Sequence, residues 1–288
     1  MKKFALKILI IIFIFSLTKC VNASSTTTPL FVLKPSTVIQ GEPVIITFEN
    51  VKISEIKNIT YDKKSLNIFL YNNKPTAFLA VDLYQKSNIY EVSVILTSGK
   101  IIKNNLTVNE RTKKVEPMAV PDKLGGNSSS NQRAVVSELA KENTELSKTF
   151  TGKKAFWTDK FVWPVADHFV TDEYGYTRQT GIYNISHKGL DLRAKAGTKV
   201  VAMNRGVVRI AKNYQTYGKS IVVDHGLGLS TIYMHLSKIN VNVGELVKPG
   251  QVIGLSGQTG YAEFPHLHLS IRINQISIDP EKFMDFFD

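Results

Sequence analysis

Cysteine is almost absent: Cys20 is the only one in 288 residues, which excludes a disulfide framework and any cysteine-based zinc knuckle. Histidine is missing before His168, so the front half of the chain is a poor place for proton-transfer or metal chemistry. No His-Glu-x-x-His motif occurs, which removes the usual helical zinc-peptidase site. Arginine is not clustered and no basic-aromatic motif is interleaved, so the net charge of +12 does not read as a nucleic-acid interface. There is no internal repeat. A metal site in this chain must therefore be built from histidine and carboxylate.

The apolar run from Ile8 to Leu17 has ten residues, short of the ~20 that cross a bilayer core. Lys2, Lys3 and Lys7 precede it and the small-residue exit Val21-Asn22-Ala23 follows. This is the pattern of a secretory signal peptide over residues 1–23, cut after Ala23, and places the mature protein in the periplasm or cell envelope. A buried core helix and an uncleaved anchor are the plainer alternatives. Lipidation at Cys20 is disfavoured because Lys19 stands where that signal wants a small residue. Cleavage leaves a net charge of +8, of which residues 24–155 carry +6. That basic front suits an anionic envelope polymer or a plain solvated surface.

With 43% hydrophobic and 21% charged residues, the chain is too apolar for disorder and long enough for two domains. Residues 24–110 read as short β-strands: Val44–Phe48, Leu66–Tyr71, Ala77–Leu83 and Tyr90–Leu96, the last turning at Ser98-Gly99 into Lys100–Val108. A small β-sandwich-like, non-catalytic module is expected there. Residues 111–132 hold Pro117, Pro121, Gly125-Gly126 and a serine run, the composition of a flexible linker. Residues 133–155 place Val135, Val136, Leu139, Leu146 and Phe150 at near-helical spacing, which predicts one amphipathic connecting helix. From residue 156 to 288 the texture is short strands between 13 of the 18 glycines, the signature of an antiparallel β-sheet domain. The expected fold is thus mostly β, in two modules joined by that helix.

All six histidines fall in the last 121 residues. Three fragments stand out: His187-Lys188-Gly189-Leu190-Asp191, Tyr233-Met234-His235-Leu236 and Pro265-His266-Leu267-His268-Leu269. On a strand His266 and His268 share one face, so one can bind a metal while the other stands beside it. His187 and Asp191 would be ~13 Å apart if extended, yet ligands of one zinc sit ~2.0–2.2 Å from the ion. The segment must bend, and Gly189 is the residue expected to take an unusual backbone. Two imidazoles and one carboxylate leave a fourth place on tetrahedral zinc open, as in catalytic sites. Each fragment alone is as well read as a surface histidine, a chance His-x-His or a plain ion pair.

In this order and context, the set resembles the motifs of the lysostaphin/LytM-type zinc metallopeptidases, which cut peptide cross-links of peptidoglycan. Flanking residues are similar too: Tyr174-Gly175-Tyr176 before Arg178, Val223-Asp224-His225-Gly226, Val247-Lys248-Pro249-Gly250-Gln251 and Gly257-Gln258-Thr259-Gly260. The match runs from Phe161 to Phe283, and the β module is similar to the non-catalytic domain that often precedes this peptidase. The resemblance implies one Zn2+ on His187, Asp191 and His268, a catalytic pair His235 and His266, and peptidoglycan as partner. Arg178 and Tyr183, just before the first ligand, are substrate-binding candidates by position, with a plain loop aromatic as the other reading of Tyr183. The Ala262-Glu263-Phe264 stretch departs from the small, Gly-containing stretch of the family and alters one groove wall.

In that chemistry, zinc lowers the pKa of bound water from ~15.7 toward ~7, and His235 and His266, with ordinary pKa near ~6.5, are the groups left to handle protons. His225 reads as structural and His168 as a surface residue. The cross-link implied is D-Ala to diaminopimelate, with a glycine bridge as the other candidate. Rival readings are a LytM-like, non-hydrolytic regulator of a cell-wall amidase, and a carrier domain suggested by Val243–Gly250. The first is disfavoured because such regulators typically lack ligands that are present here, the second by the export signal. The linker length also allows the N-terminal module to fold back over the groove and inhibit it.

Overall fold

The structure is a computed structural model and describes residues 28–112, 114–149, 151–157 and 160–287. The signal peptide, its cleavage site, Cys20 and Phe150 lie outside the described residues. Among the described residues no helix is long and apolar enough to cross a membrane.

The fold is mostly β. In the front module a four-stranded sheet (Leu30–Lys34, Pro43–Glu49, Lys74–Ala80, Ile68–Tyr71) faces a five-stranded one (Thr37–Ile39, Ile101–Asn109, Asn88–Leu96, Ile56–Tyr61, Lys64–Ser65). Alternation puts Val44, Ile46 and Phe48 on the inner face of one sheet, where they meet Ile59, Val92, Val94 and Leu106 of the other. The hairpin expected at Ser98-Gly99 forms, with Gly99 at a φ of 86°, a conformation open to glycine.

The back module is built on an eight-stranded antiparallel sheet. Its order is Val170–Asp172, Leu190–Arg193, His266–Ile273, Leu229–Leu236, Lys219–Gly226, Gly206–Asn213 and Leu246–Val247, with Ile276–Ile278 paired to His266–Ile273. Leu190, Leu192, Leu267, Leu269 and Ile271 point into the core, so the intervening residues face the other way. That alternation, with Asp191 in register opposite His268, is what carries the chemical side chains onto one side of the sheet.

The two modules meet in an apolar cluster continuous with the core of the back module. Phe69 and Phe78 of the sandwich pack on Trp157 and Phe283, with Phe69–Trp157 ring centroids 5.1 Å apart. Arg111 ties the seam: its guanidinium pairs with Asp279 at 3.0 Å and donates to the Gln40 and Tyr174 carbonyls. Both partners of that pair are largely buried, so breaking it by removing one side leaves an unpaired charge.

The connector differs from a loose linker. Val115–Pro117 pairs in parallel with Thr177–Thr180, and Val120 is buried with Val135 and Tyr261. Turn formers gave this segment a loop composition, but a partner strand supplies its hydrogen bonds. The helix spans Ser129–Ser147, starting four residues earlier than expected, inside the serine run. Ser128 is the reason: its side chain accepts from the Asn131 N–H and caps the first turn. A second, short helix, Pro280–Met284, begins behind the Asp279 cap and packs Phe283 and Met284 inward.

Candidate metal centre

Three neighbouring strands and one bend bring the side chains together. Asp191 stands on Leu190–Arg193, His268 faces it on His266–Ile273, and Met234 pairs with His268 from the other flank. His235 follows Met234 at a φ of 60°, a left-handed conformation rare for a residue with a side chain. His187 is held at the bend by paired bonds, its N–H to the Tyr176 carbonyl and the Gly175 N–H to its own carbonyl, both 2.8 Å. Gly189 serves a different purpose from the one expected. It is absent from the positive-φ glycines; instead, a Cβ there would strike the His268 ring and the Leu269 carbonyl. Close approach of two strands, rather than backbone strain, requires the glycine.

His187 Nε2, Asp191 Oδ1 and His268 Nδ1 lie 2.7–3.1 Å from one another and are buried. Ligands on a tetrahedral zinc at these bond lengths stand ~3.3 Å apart, so a small opening of the cluster admits an ion. The hydrogen bonds behind the cluster fit the same conclusion. His187 Nδ1 donates to the Glu173 carbonyl at 2.7 Å, leaving the Nε2 lone pair inward. Ser270 Oγ donates to the Lys188 carbonyl and so accepts from His268 Nε2, which leaves the Nδ1 lone pair inward. Such partners fix the tautomer of a metal-ligating imidazole. Among the described residues, these three form the one cluster of its kind able to hold a metal ion.

His235 and His266 stand beside the cluster with ring centroids 5.0 Å apart. Each has Nδ1 tied to a main-chain carbonyl, Thr259 for His235 and Phe264 for His266, both at 2.8 Å. Each therefore leaves its Nε2 lone pair available. His266 Nε2 is buried without a hydrogen-bond partner and lies 3.7 Å from Asp191 Oδ2. Burial, and then the neighbouring His266 and His268, hold His235 well below the usual imidazole range. Burial alone would raise the Asp191 carboxyl, but His187, Arg178 and His266 outweigh it and keep it ionised.

Arg178 is not free in the groove. Its guanidinium bonds Asp191 Oδ2, Asp172 at 3.2 Å and the Tyr176 hydroxyl at 3.2 Å, so it orients the carboxylate. Tyr183 pairs in a hairpin with Thr180 and lines neither of the cavities flanking the centre. His225 is buried, donates Nδ1 to the Arg205 carbonyl and lies outside the centre, as a structural histidine should. His168 stacks on Trp163.

A cavity of about 300 Å³ opens onto His187, His235 and His268. Its roof is Val136, Leu139, Ala140 and Asn143 of the Ser129–Ser147 helix, whose partner surface the helical spacing does not name. Glu142 of that helix is buried and accepts from the N–H groups of Gln215, Thr216 and Tyr217 and from the Thr216 hydroxyl. Ser270 and Arg272 line the floor and had a signal in the sequence, since they continue the His266, His268 alternation on the same face. Glu142 had none, because its loop partners are more than 70 residues away.

A sheet that gathers two imidazoles, one carboxylate and a second imidazole pair over a groove is the framework of a metallopeptidase module. Residues 185–280, a third of the chain, match the family model described as peptidase family M23, the likeness expected of a lysostaphin/LytM-type module. The peptidoglycan DD-endopeptidase ShyA of Vibrio cholerae is 44% identical over 85 residues, covering 30% of this chain and 20% of that protein. Lysostaphin of Staphylococcus simulans is 39% identical over 109 residues, covering 36% of this chain and 22% of that protein. The chain thus spans about a fifth of the length of these two curated relatives. A putative peptidase M23 from Pseudomonas aeruginosa shares the fold, with a TM-score of 0.61 at 22% identity, over 87% of this chain and 96% of that one.

Proposed function

We propose that the protein is an exported zinc endopeptidase that hydrolyses peptide cross-links of peptidoglycan and so remodels the cell wall, with the D-Ala to diaminopimelate bond as substrate. The observation that carries this reading is the convergence of His187 Nε2, Asp191 Oδ1 and His268 Nδ1, with two further histidines beside the cluster. The names of the relatives, a DD-endopeptidase and lysostaphin among them, support a cell-wall peptide as the substrate class. The basic start of the chain and the short apolar run support export.

In this reading His187, Asp191 and His268 hold the zinc, and Arg178 fixes the Asp191 carboxylate by taking its other oxygen. Bound there, zinc supplies an acidified water and a polarised carbonyl. The protein supplies the proton path: His235 and His266 each keep a proton on Nδ1 against a carbonyl and offer Nε2 to the reacting groups. Together they take the proton of the attacking water and return it to the leaving amine. The complete ligand set favours hydrolysis over the role of a non-hydrolytic amidase regulator.

The same reading includes intramolecular inhibition. Among the described residues, those that roof the cavity on the metal cluster come from the connecting helix, and none comes from the sandwich. The lining does not support the expected cover by the N-terminal module, and the proposal moves to the helix, held down by Glu142, as the inhibitory element.

The test is digestion of isolated peptidoglycan by zinc-loaded protein, followed by mass spectrometry of the muropeptides. Conversion of D-Ala–diaminopimelate dimers to monomers, abolished by chelator, is the expected result. Intact dimers after prolonged digestion, with metal bound, overturn the proposal.

A further inference from the structure

Arg272 is a buried cation without a counter-charge. It is 5% exposed and, among the described residues, makes no salt bridge. Its Nη2 donates to Asn143 Oδ1 of the roofing helix at 2.7 Å, and its Nε is buried with no partner. Burying a guanidinium against a neutral amide, with one donor unpaired, is unfavourable and needs a reason. Nε–H and Nη2–H point the same way and form one side of the guanidinium fork, spaced for the two oxygens of a carboxylate. Asn143 brings one acceptor to a place shaped for two.

The position suits substrate. Arg272 shares its strand face with His268 and Ser270, and all three line the cavity that opens onto His187 and His235. Four residues of strand separate Arg272 from His268, ~13 Å between Cα positions. Allowing for the length of the arginine side chain, the fork reaches a group about two residues from the bond at the metal cluster. We propose that Arg272 is a substrate-binding residue that takes a free carboxylate of the peptide stem through Nε and Nη2, and that Asn143 stands in for that carboxylate while the helix covers the groove. The inference deepens the peptidase reading and rests on it for the identity of the peptide. It makes the groove selective for acidic stems over amidated ones.

The test is calorimetric binding to the full-length chain. One probe is a peptidoglycan stem peptide with free carboxylates; the other is the same peptide with its carboxylates amidated. The intact protein should bind the free form at least tenfold more tightly than the amidated form. Arg272→Gln should lose that preference, and Asn143→Ala should bind the free form several-fold more tightly. Arg272→Lys keeps the charge without the fork and should retain part of the preference; it carries the test if the glutamine variant does not fold. Equal binding of the two peptides by the intact protein, or a preference undiminished in both Arg272 variants, overturns the assignment. Binding is read without turnover. Selective binding through Arg272 with no bond cut would sink the hydrolytic reading and leave this one standing.

Discussion

On the proposal that the Ser129–Ser147 helix inhibits the site, weakening Glu142 should raise hydrolysis. Its carboxylate is buried and accepts from three loop N–H groups and one hydroxyl, at 2.7 Å from Gln215 and 2.9 Å from Tyr217. When the helix lifts, both the carboxylate and the loop amides pass into water, so these bonds stabilise the closed form alone. In Glu142→Gln one oxygen becomes an NH2 group that meets N–H donors, and a buried charged acceptor is lost. A change of that kind costs about 3 kcal/mol. At ~1.4 kcal/mol per factor of ten, the open population should rise about 100-fold. Hydrolysis of a soluble cross-linked muropeptide should rise by a similar factor until opening ceases to limit it. Val135→Ala and Leu139→Ala weaken the same docking elsewhere, in the cluster with Val120 and Tyr261. Across the three variants the logarithm of the rate should climb with the helix-docking energy lost, read from urea unfolding. The reasoning is refuted if all three retain zinc and none is faster than the parent.

The other expectations concern the metal cluster and the buried histidines. His235→Ala should keep one zinc per chain and lose hydrolysis by at least 100-fold, whereas Asp191→Ala should lose both; elemental analysis beside the muropeptide assay separates them. Chelation should lower the melting temperature by roughly 10 °C, since a ligand at ~1,000 times its Kd contributes ~4 kcal/mol and each kcal/mol moves a chain of this size by ~2–4 °C. Calorimetry with and without zinc reads that shift. His225 is pushed down to about 4 by burial, against the opposing pull of its Arg205 carbonyl bond and Asp224. The unfolded imidazole takes a proton near ~6.5, so the stability from keeping His225 neutral is complete above that pH and declines as pH falls toward about 4, by ~3 kcal/mol. In His225→Gln, urea denaturation at pH 7 and pH 5 should show a smaller loss than the parent; an identical loss would remove His225 as the cause.

Sequence alone determined the class of chemistry. With a single cysteine, a metal site had to use histidine and carboxylate, and the two-residue spacing of His266 and His268 put them on one strand face. The mostly β fold and the strands near Val44 and Tyr90 were legible because β-branched runs bounded by glycine and asparagine are local signals. Gly189 shows the limit of such signals. The need for glycine was visible, but its cause was the His268 strand passing close by, which depends on a residue 79 positions away.

Tertiary structure alone decided how the site is covered and tuned. The 111–132 segment has the composition of a loop, yet pairing with Thr177–Thr180 and burial of Val120 give it a fixed course. The helix pattern predicted an apolar face but not what that face would meet, because amphipathicity names a surface and no partner. Only the fold sets Glu142 against Gln215–Tyr217, Arg178 on Asp191 and Asn143 on Arg272. Periodicity along the chain reports which side a residue faces; contacts between distant segments are fixed by packing, where the buried charges find or lack their partners.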